Sequence, residues 1–304
     1  MKKFHLLFSL LCFASTALFA QEAQPFTISF GNLRARSIGP AVMSGRVSDV
    51  DGVDTGEKVI LYVGAAGGGL WKSSNGGASF IPVFDDYCMS IGKVAIDPQH
   101  PDTVWVGTGE SWVRNSTSVG CGLYRTVNGG KTWQLMGLED SERISDILID
   151  PTNPAVIYVA VQGALWGASE TRGVYKSTDF GESWQRILYV NEHTGAADLA
   201  ISPDNPKVLF ATMWDHQRTP YSFRSGGPGS GLYRSEDGGE SWQKLDIRLS
   251  EDGRQVGGTL GRMAIAIAPS NAQHLYLTIE AEKEKGLYVS YRGGRSWEMA
   301  NNAF

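Results

Sequence analysis

Five stretches of this chain repeat one another, and self-similarity at such a period restricts a chain to architectures that set like units side by side. They read Ser73-Ser-Asn-Gly-Gly-Ala-Ser-Phe80, Thr126-Val-Asn-Gly-Gly-Lys-Thr-Trp133, Ser177-Thr-Asp-Phe-Gly-Glu-Ser-Trp184, Ser235-Glu-Asp-Gly-Gly-Glu-Ser-Trp242 and Ser290-Tyr-Arg-Gly-Gly-Arg-Ser-Trp297. Their final aromatics are 53, 51, 58 and 55 residues apart. Each follows a β-type run such as Gly122-Leu-Tyr-Arg125 or Gly231-Leu-Tyr-Arg234. Between them falls a second motif, an apolar strand stopped by proline: Val94-Ala-Ile-Asp-Pro98, Ile147-Leu-Ile-Asp-Pro151, Leu199-Ala-Ile-Ser-Pro203 and Ile265-Ala-Ile-Ala-Pro269. Another strand follows each proline after a polar turn. Four short strands per unit predict an all-β chain, a β-propeller of about five four-stranded antiparallel blades. With 37 glycines in 304 residues and only 19% charged residues, the composition suits many tight turns.

The chemistry of the repeated box is local. Asn75, Asn128, Asp179 and Asp237 can accept hydrogen bonds from N–H groups of their own turn, and glycine tolerates the positive φ that such turns require. Trp133, Trp184, Trp242 and Trp297 are expected to pack between sheets. Phe80 and Arg292 depart from the pattern, and Arg292 should loosen the fifth turn. Four antiparallel strands put the prolines and boxes on one face of the propeller. The loops between second and third strands, and between blades, then share the other face, which varies most in length and is the expected ligand face.

Residues 1–20 read as a secretory signal peptide, with Lys2 and Lys3, an apolar stretch and Ala20 before the cut. Residues 21–46 form an extended lead-in, and 47–304 hold the blades. Export to the periplasm or outside the cell follows, with no membrane insertion. Without the leader the chain has 25 basic and 32 acidic residues, which excludes nucleic acid as a partner. His100, His193, His216 and His274 show no zinc spacing, and no metal or cofactor is expected. Cys88 and Cys121 fall on the loop face of the second blade. Export favours a disulfide between them if their Cα atoms lie within about 7 Å.

The box resembles the Asp-box, or bacterial neuraminidase repeat. Arg36-Ser-Ile-Gly-Pro40, Val106-Gly-Thr-Gly-Glu110, Arg114-Asn-Ser116 and Arg218-Thr-Pro220 further resemble secreted bacterial sortilin-like and glycosyl-hydrolase-like repeat proteins. Those are longer, so the resemblance implies an N-terminal part of a larger propeller. Asp-box folds serve sialidases, xyloglucan-cleaving glycosidases, a peptide-binding receptor and a photosystem assembly factor, so the fold alone chooses no function. Two departures count against enzyme readings. The catalytic Asp of xyloglucanases would fall on Ala66, and Phe80-Ile-Pro82 lacks the arginine of the sialidase motif.

Aligned on their prolines, the inner strands place Lys93, Asp146 and Asp198 at one position of the channel mouth, with Arg46 near it in the first blade. Asp146, Asp198 and Glu110 are the candidate carboxylates for glycoside hydrolysis, which needs a pair about 5–9.5 Å apart. The preferred reading is plainer: Arg46 and Lys93 pair with them and hold the ring together. Glu110, Asp215 and Glu280 begin loops on the ligand face, which also carries Trp112, Trp166 and Trp214. Glu110, Arg114, Asn115, Asp198, Trp214 and Arg218 are the expected ligand-binding residues, arginine and carboxylate orienting a polar ligand while tryptophan covers its apolar side. The chain therefore reads as a secreted recognition propeller for a peptide or polysaccharide, not catalytic as it stands. A glycoside hydrolase using the loop-face carboxylates is the first alternative. The second is an assembly or scaffold factor for a protein partner.

Overall fold

A computed structural model describes residues 46–302. The expected leader, the segment Phe26–Gly31 and Arg36–Pro40 lie outside the described residues. Within them the chain folds into five antiparallel sheets, each built from strands in chain order from the inside outward. The first blade is Val47–Asp54, Val59–Ala65, Gly69–Ser73 and Ile81–Pro82. The second is Ile91–Ile96, Val104–Thr108, Leu123–Thr126 and Gln134–Leu135, and the third Ile144–Ile149, Ile157–Val161, Gly173–Ser177 and Gln185–Leu188. The fourth comprises Thr194–Ile201, Leu209–Arg218, Gly231–Ser235 and Gln243–Leu245, with Phe223–Ser225 paired to the end of its second strand. Leu260–Ala268, Asn271–Ala281, Gly286–Ser290 and Glu298–Asn301 make the fifth.

A four-stranded sheet has two faces to bury, and here blades adjacent in the chain bury them against one another. Four apolar seams join consecutive blades. Between the first two, Tyr62, Leu70 and Phe84 meet Ile91, Val94 and Trp133. Between the last two, Phe210, Leu232 and Ile247 meet Ile265, Leu277 and Trp297. Among the described residues no apolar seam joins the fifth blade to the first. Close approach at the hub is possible only because some hub residues lack a side chain. A Cβ on Gly92 would stand 2.1 Å from the Ile144 carbonyl of the next blade.

The boxes close as their residue types dictate. Ser177 Oγ accepts the N–H of Gly181 at 2.8 Å and donates to Asp179 Oδ1 at 2.7 Å, while Asp179 accepts the Ser183 N–H at 3.0 Å. Boxes one, two and four repeat this arrangement around Asn75, Asn128 and Asp237. The tryptophan that ends each box lies in the seam with the preceding blade. Trp133 Nε1 donates to Val83 O and Trp184 Nε1 to Met136 O, both at 2.7 Å. Phe80, on the outer flank of the first blade, is exposed.

A second tie runs the other way. Lys72, Arg125 and Lys176 occupy one position of the third strand, and each donates to a carbonyl in the next blade's box: Gly129, Phe180 and Gly238, at 2.7–2.8 Å. Each of these cations also lies over an aromatic ring of its own second strand, Tyr62, Trp105 or Tyr158, 5.3–5.8 Å from the centroid. Arg234 over Phe210 continues the pattern, and Val289 ends it. Phe180 adopts φ 59° where the other boxes have glycine.

One expectation needs correction. Asp215 does not begin a loop, and Trp214 does not stand on one. The second strand of the fourth blade runs on to Arg218 and turns back through Phe223–Ser225, because Trp214 and His216 stack on one side of it (4.3 Å) and Phe223 closes edge-on over Trp214.

Two mutations separate the parts of the box. Ser177→Ala leaves the buried Gly181 N–H without an acceptor and should cost about 1–3 kcal/mol in denaturant unfolding. Asp179 is held down to about 2 by hydrogen bonds from Ser183 and Ser177. Its contribution is therefore present above the ordinary carboxylate range and lost as pH falls towards 2. Asp179→Asn, the residue type that boxes one and two use, should fold normally and weaken the acid-side loss of stability seen in melts between pH 4 and 2.

Candidate functional site

The hub is built on carboxylates that reach from one inner strand to the next. Asp49 accepts the Val94 N–H at 3.0 Å, Asp146 the Leu199 N–H at 2.9 Å and Asp198 the Ile265 N–H at 2.8 Å. The second blade carries Lys93 at this position, and a lysine cannot accept an N–H. Its Nζ instead lies 3.3 Å from Asp146 and 3.4 Å from Asp49. In the first blade the channel residue is thus Asp49 and not Arg46. A β-bulge between Val47 and Asp49 shifts the register, and Arg46 binds Glu110 through two hydrogen bonds of 2.8 and 2.5 Å. Burial first, and then the charge of Asp146, push Asp198 up to about 8, against the pull of the Ile265 N–H and Lys93. Asp146 therefore acts on Asp198 as a neighbouring like charge that favours its protonated form.

Above this floor opens a cavity of about 450 Å³ to which all five blades contribute, from Asp49 and Lys93 through Ser145 and Asp198 to Arg262 and Glu280. Arg262 dominates its wall. Its guanidinium lies 4.8 Å from the Trp112 ring centroid and 5.3 Å from that of Trp214, and it donates to Ser111 O at 3.3 Å. Burial lowers its pKa, with Asp198 and Glu280 pulling the other way. Glu280 accepts the Arg262 N–H at 3.0 Å and the Ser225 hydroxyl at 2.6 Å, and Ser225 accepts the Trp214 indole N–H at 3.0 Å. Arg262 was not among the residues expected here, although a signal exists. It stands seven residues before Pro269, where the other blades hold the buried apolar Ile91, Ile144 and Ala196.

The residues expected on the ligand face meet unequally. Asn115 and Arg218, 103 residues apart, are hydrogen-bonded to each other, so the second-blade loop reaches the fourth-blade hairpin. Arg114 is exposed on the same loop. Glu110 is buried under Arg46. Trp214 is 2% exposed and serves as packing beneath Arg262, whereas Trp112 at the cavity is 53% exposed and Trp166 remains on the surface. Cys88 and Cys121 are joined, with Cα atoms 6.3 Å apart, at the base of the loop that carries Trp112.

The raised pKa of Asp198 has a consequence for stability. The folded protein holds a proton there that the unfolded chain releases near 3.8, so this contribution is complete at low pH and is lost as pH rises towards 8. Asp198→Asn can keep the hydrogen bond from the Ile265 N–H without the charge. Thermal melts should show the variant more stable than the parent at pH 8 and nearly equal to it at pH 4.

Comparison with known proteins agrees with this architecture. The Sortilin-Vps10 family (Sortilin, neurotensin receptor 3) matches residues 121–251. Xyloglucanase Xgh74A of Acetivibrio thermocellus is 24% identical over 224 residues, covering 62% of this chain and 24% of the relative. A probable oligoxyloglucan-reducing end-specific xyloglucanase of Neosartorya fischeri is 27% identical over 250 residues, covering 69% and 28%. The chain thus spans about a quarter of the length of these curated relatives. Among solved structures, an ancestral GH74 enzyme superposes with a TM-score of 0.62 at 20% identity, over 88% of this chain and 33% of that one. The GH74 xyloglucanase from Xanthomonas campestris does so with a TM-score of 0.52 at 16% identity, over 84% and 45%. Five boxes, five antiparallel sheets and these likenesses fit an all-β propeller fold, with residues 121–251 similar to the Sortilin-Vps10 family.

Proposed function

We propose that this chain is a recognition propeller that binds a polysaccharide at the hub cavity of its loop face. The observation that carries the proposal is the cavity itself, where the exposed ring of Trp112 stands beside Arg262 and Glu280. A flat aromatic surface next to charged hydrogen-bonding groups suits a sugar, whose ring has apolar faces and hydroxyl edges. The names of the xyloglucanase relatives support a glycan over a peptide. The disulfide suits an oxidising compartment and so supports export.

Binding without hydrolysis is the preferred form of the proposal. Asp146 and Asp198 each accept a backbone N–H of the following blade, which leaves them less free to act as the acid and base that flank a glycosidic bond. Ala66, at the place that the xyloglucanase resemblance gives to a catalytic Asp, is buried. The relatives' names favour glycoside hydrolysis as the second reading, and the two are separable. In affinity electrophoresis against xyloglucan and other soluble polysaccharides the protein should be retarded without releasing reducing ends. Trp112→Ala should weaken retardation about tenfold, equivalent to about 1.4 kcal/mol, while Ser177→Ala should leave it unchanged. Release of reducing ends that disappears in Asp198→Asn would establish the hydrolase instead. No retardation by any polysaccharide would end the glycan reading.

A further inference from the structure

The fifth box lacks the group around which the other four close. In boxes one to four a side-chain oxygen of Asn75, Asn128, Asp179 or Asp237 accepts the N–H of the Ser or Thr four residues on, at 2.9–3.0 Å. In boxes three and four the second carboxylate oxygen also takes that residue's hydroxyl at 2.5 Å. The fifth box holds Arg292 instead. Its turn is nonetheless formed, since Ser290 Oγ accepts the N–H groups of Arg292 and Gly294 at 3.2 and 2.9 Å. Ser296, which stands where Ser183 and Ser241 stand, therefore has no carboxylate to bind.

Beside it lies a cavity of about 460 Å³, apart from the hub, lined by Arg248, Tyr291, Arg292, Arg295, Ser296 and Glu298. Arg248 is paired with Asp246 at 2.6 Å. Arg292 and Arg295 have no ion-pair partner among the described residues. In a chain of net charge −5, three guanidiniums against one lining carboxylate make an unusual local field. Guanidinium forks and a free backbone N–H are the donors that an oxyanion needs.

We propose that the fifth box is an oxyanion site, in which a carboxylate or sulfate from outside the chain takes the place that the box side chain fills in the other blades. Arg292 and Arg295 would supply the charge, and the N–H and hydroxyl of Ser296 would fix the orientation. The site differs from the hub cavity and does not depend on the glycan proposal.

Restoring the repeat tests the idea without threatening the fold. Arg292→Asp supplies an internal carboxylate, so the variant should melt higher than the parent in chloride buffer and should no longer respond to sulfate. Inorganic sulfate titrated into the parent at constant ionic strength should raise Tm above the chloride control and shift the Ser296 amide resonance to saturation. In Arg292→Asp that resonance should start near its saturated position, with sulfate affinity at least tenfold weaker. Arg295→Gln should weaken affinity while leaving the chloride Tm unchanged. A short sulfated oligosaccharide as a second titrant distinguishes the source: tighter binding than sulfate marks a saccharide-borne anion, and equal binding a free one. An unmoved Ser296 amide with both titrants, or an Arg292→Asp protein that responds to sulfate as the parent does, would overturn the proposal.

Discussion

A blade has two faces to cover, and in the described residues the three inner blades have both covered by neighbouring blades and the two end blades one each. A lone four-stranded sheet of this sequence would expose Tyr62, Trp105, Tyr158 or Phe210 together with the apolar rows beside them. At about 25 cal/mol for each Å² of apolar surface, burial in the seams is the dominant favourable term. The box places a tryptophan in each seam, and the indole N–H of Trp133 or Trp184 then binds a carbonyl of the blade it packs against. The cation of the third strand binds forward into the next box. Apolar packing holds the blades together, and these polar ties fix their register.

The same constraint makes the hub. Inner strands crowd together, so their polar groups must be satisfied across the blade boundary. Asp49, Asp146 and Asp198 do this by accepting backbone N–H groups from the following blade. Carboxylates so placed are partly spent on structure, and the burial that positions them also raises the pKa of Asp198. The groups left to meet a ligand stand one layer higher, where loops and the ends of strands supply Trp112, Arg262 and Glu280. An arginine held between two indoles is a rigid donor, and rigidity at a binding wall lowers the ordering cost of association.

Repetition explains why the fold could be read closely from residues. A box of Ser or Thr, Asp or Asn, Gly and Trp has one good local solution, and five copies spaced by about fifty residues leave few architectures that pack them. Strand order, the closure of the boxes and the burial of their tryptophans all follow from that. The site was less legible because it departs from the repeat. Arg262 interrupts an apolar column, Lys93 replaces an acceptor with a donor, and Arg292 replaces a box carboxylate. Trp214 stands at the end of the repeated second-strand pattern, where the repeat predicts a loop, whereas the alternation of Trp214 and His216 continues the strand.

The sequence by itself determined the all-β class, the five repeated units of the described residues, the strand order and the turn chemistry. Each rests on interactions within about ten residues or on the period between copies. Tertiary structure decided which carboxylate meets which backbone, that Arg46 goes to Glu110 and not to the hub, and that Arg218 reaches Asn115. It decided also that Trp112 is exposed at the cavity while Trp214 is buried beneath it. A single-residue bulge in each inner strand moves a side chain from the wall to the hub. Contacts across one hundred residues depend on how four seams accumulate their angles. No local pattern encodes that sum, because each seam sets its angle by packing against a neighbour.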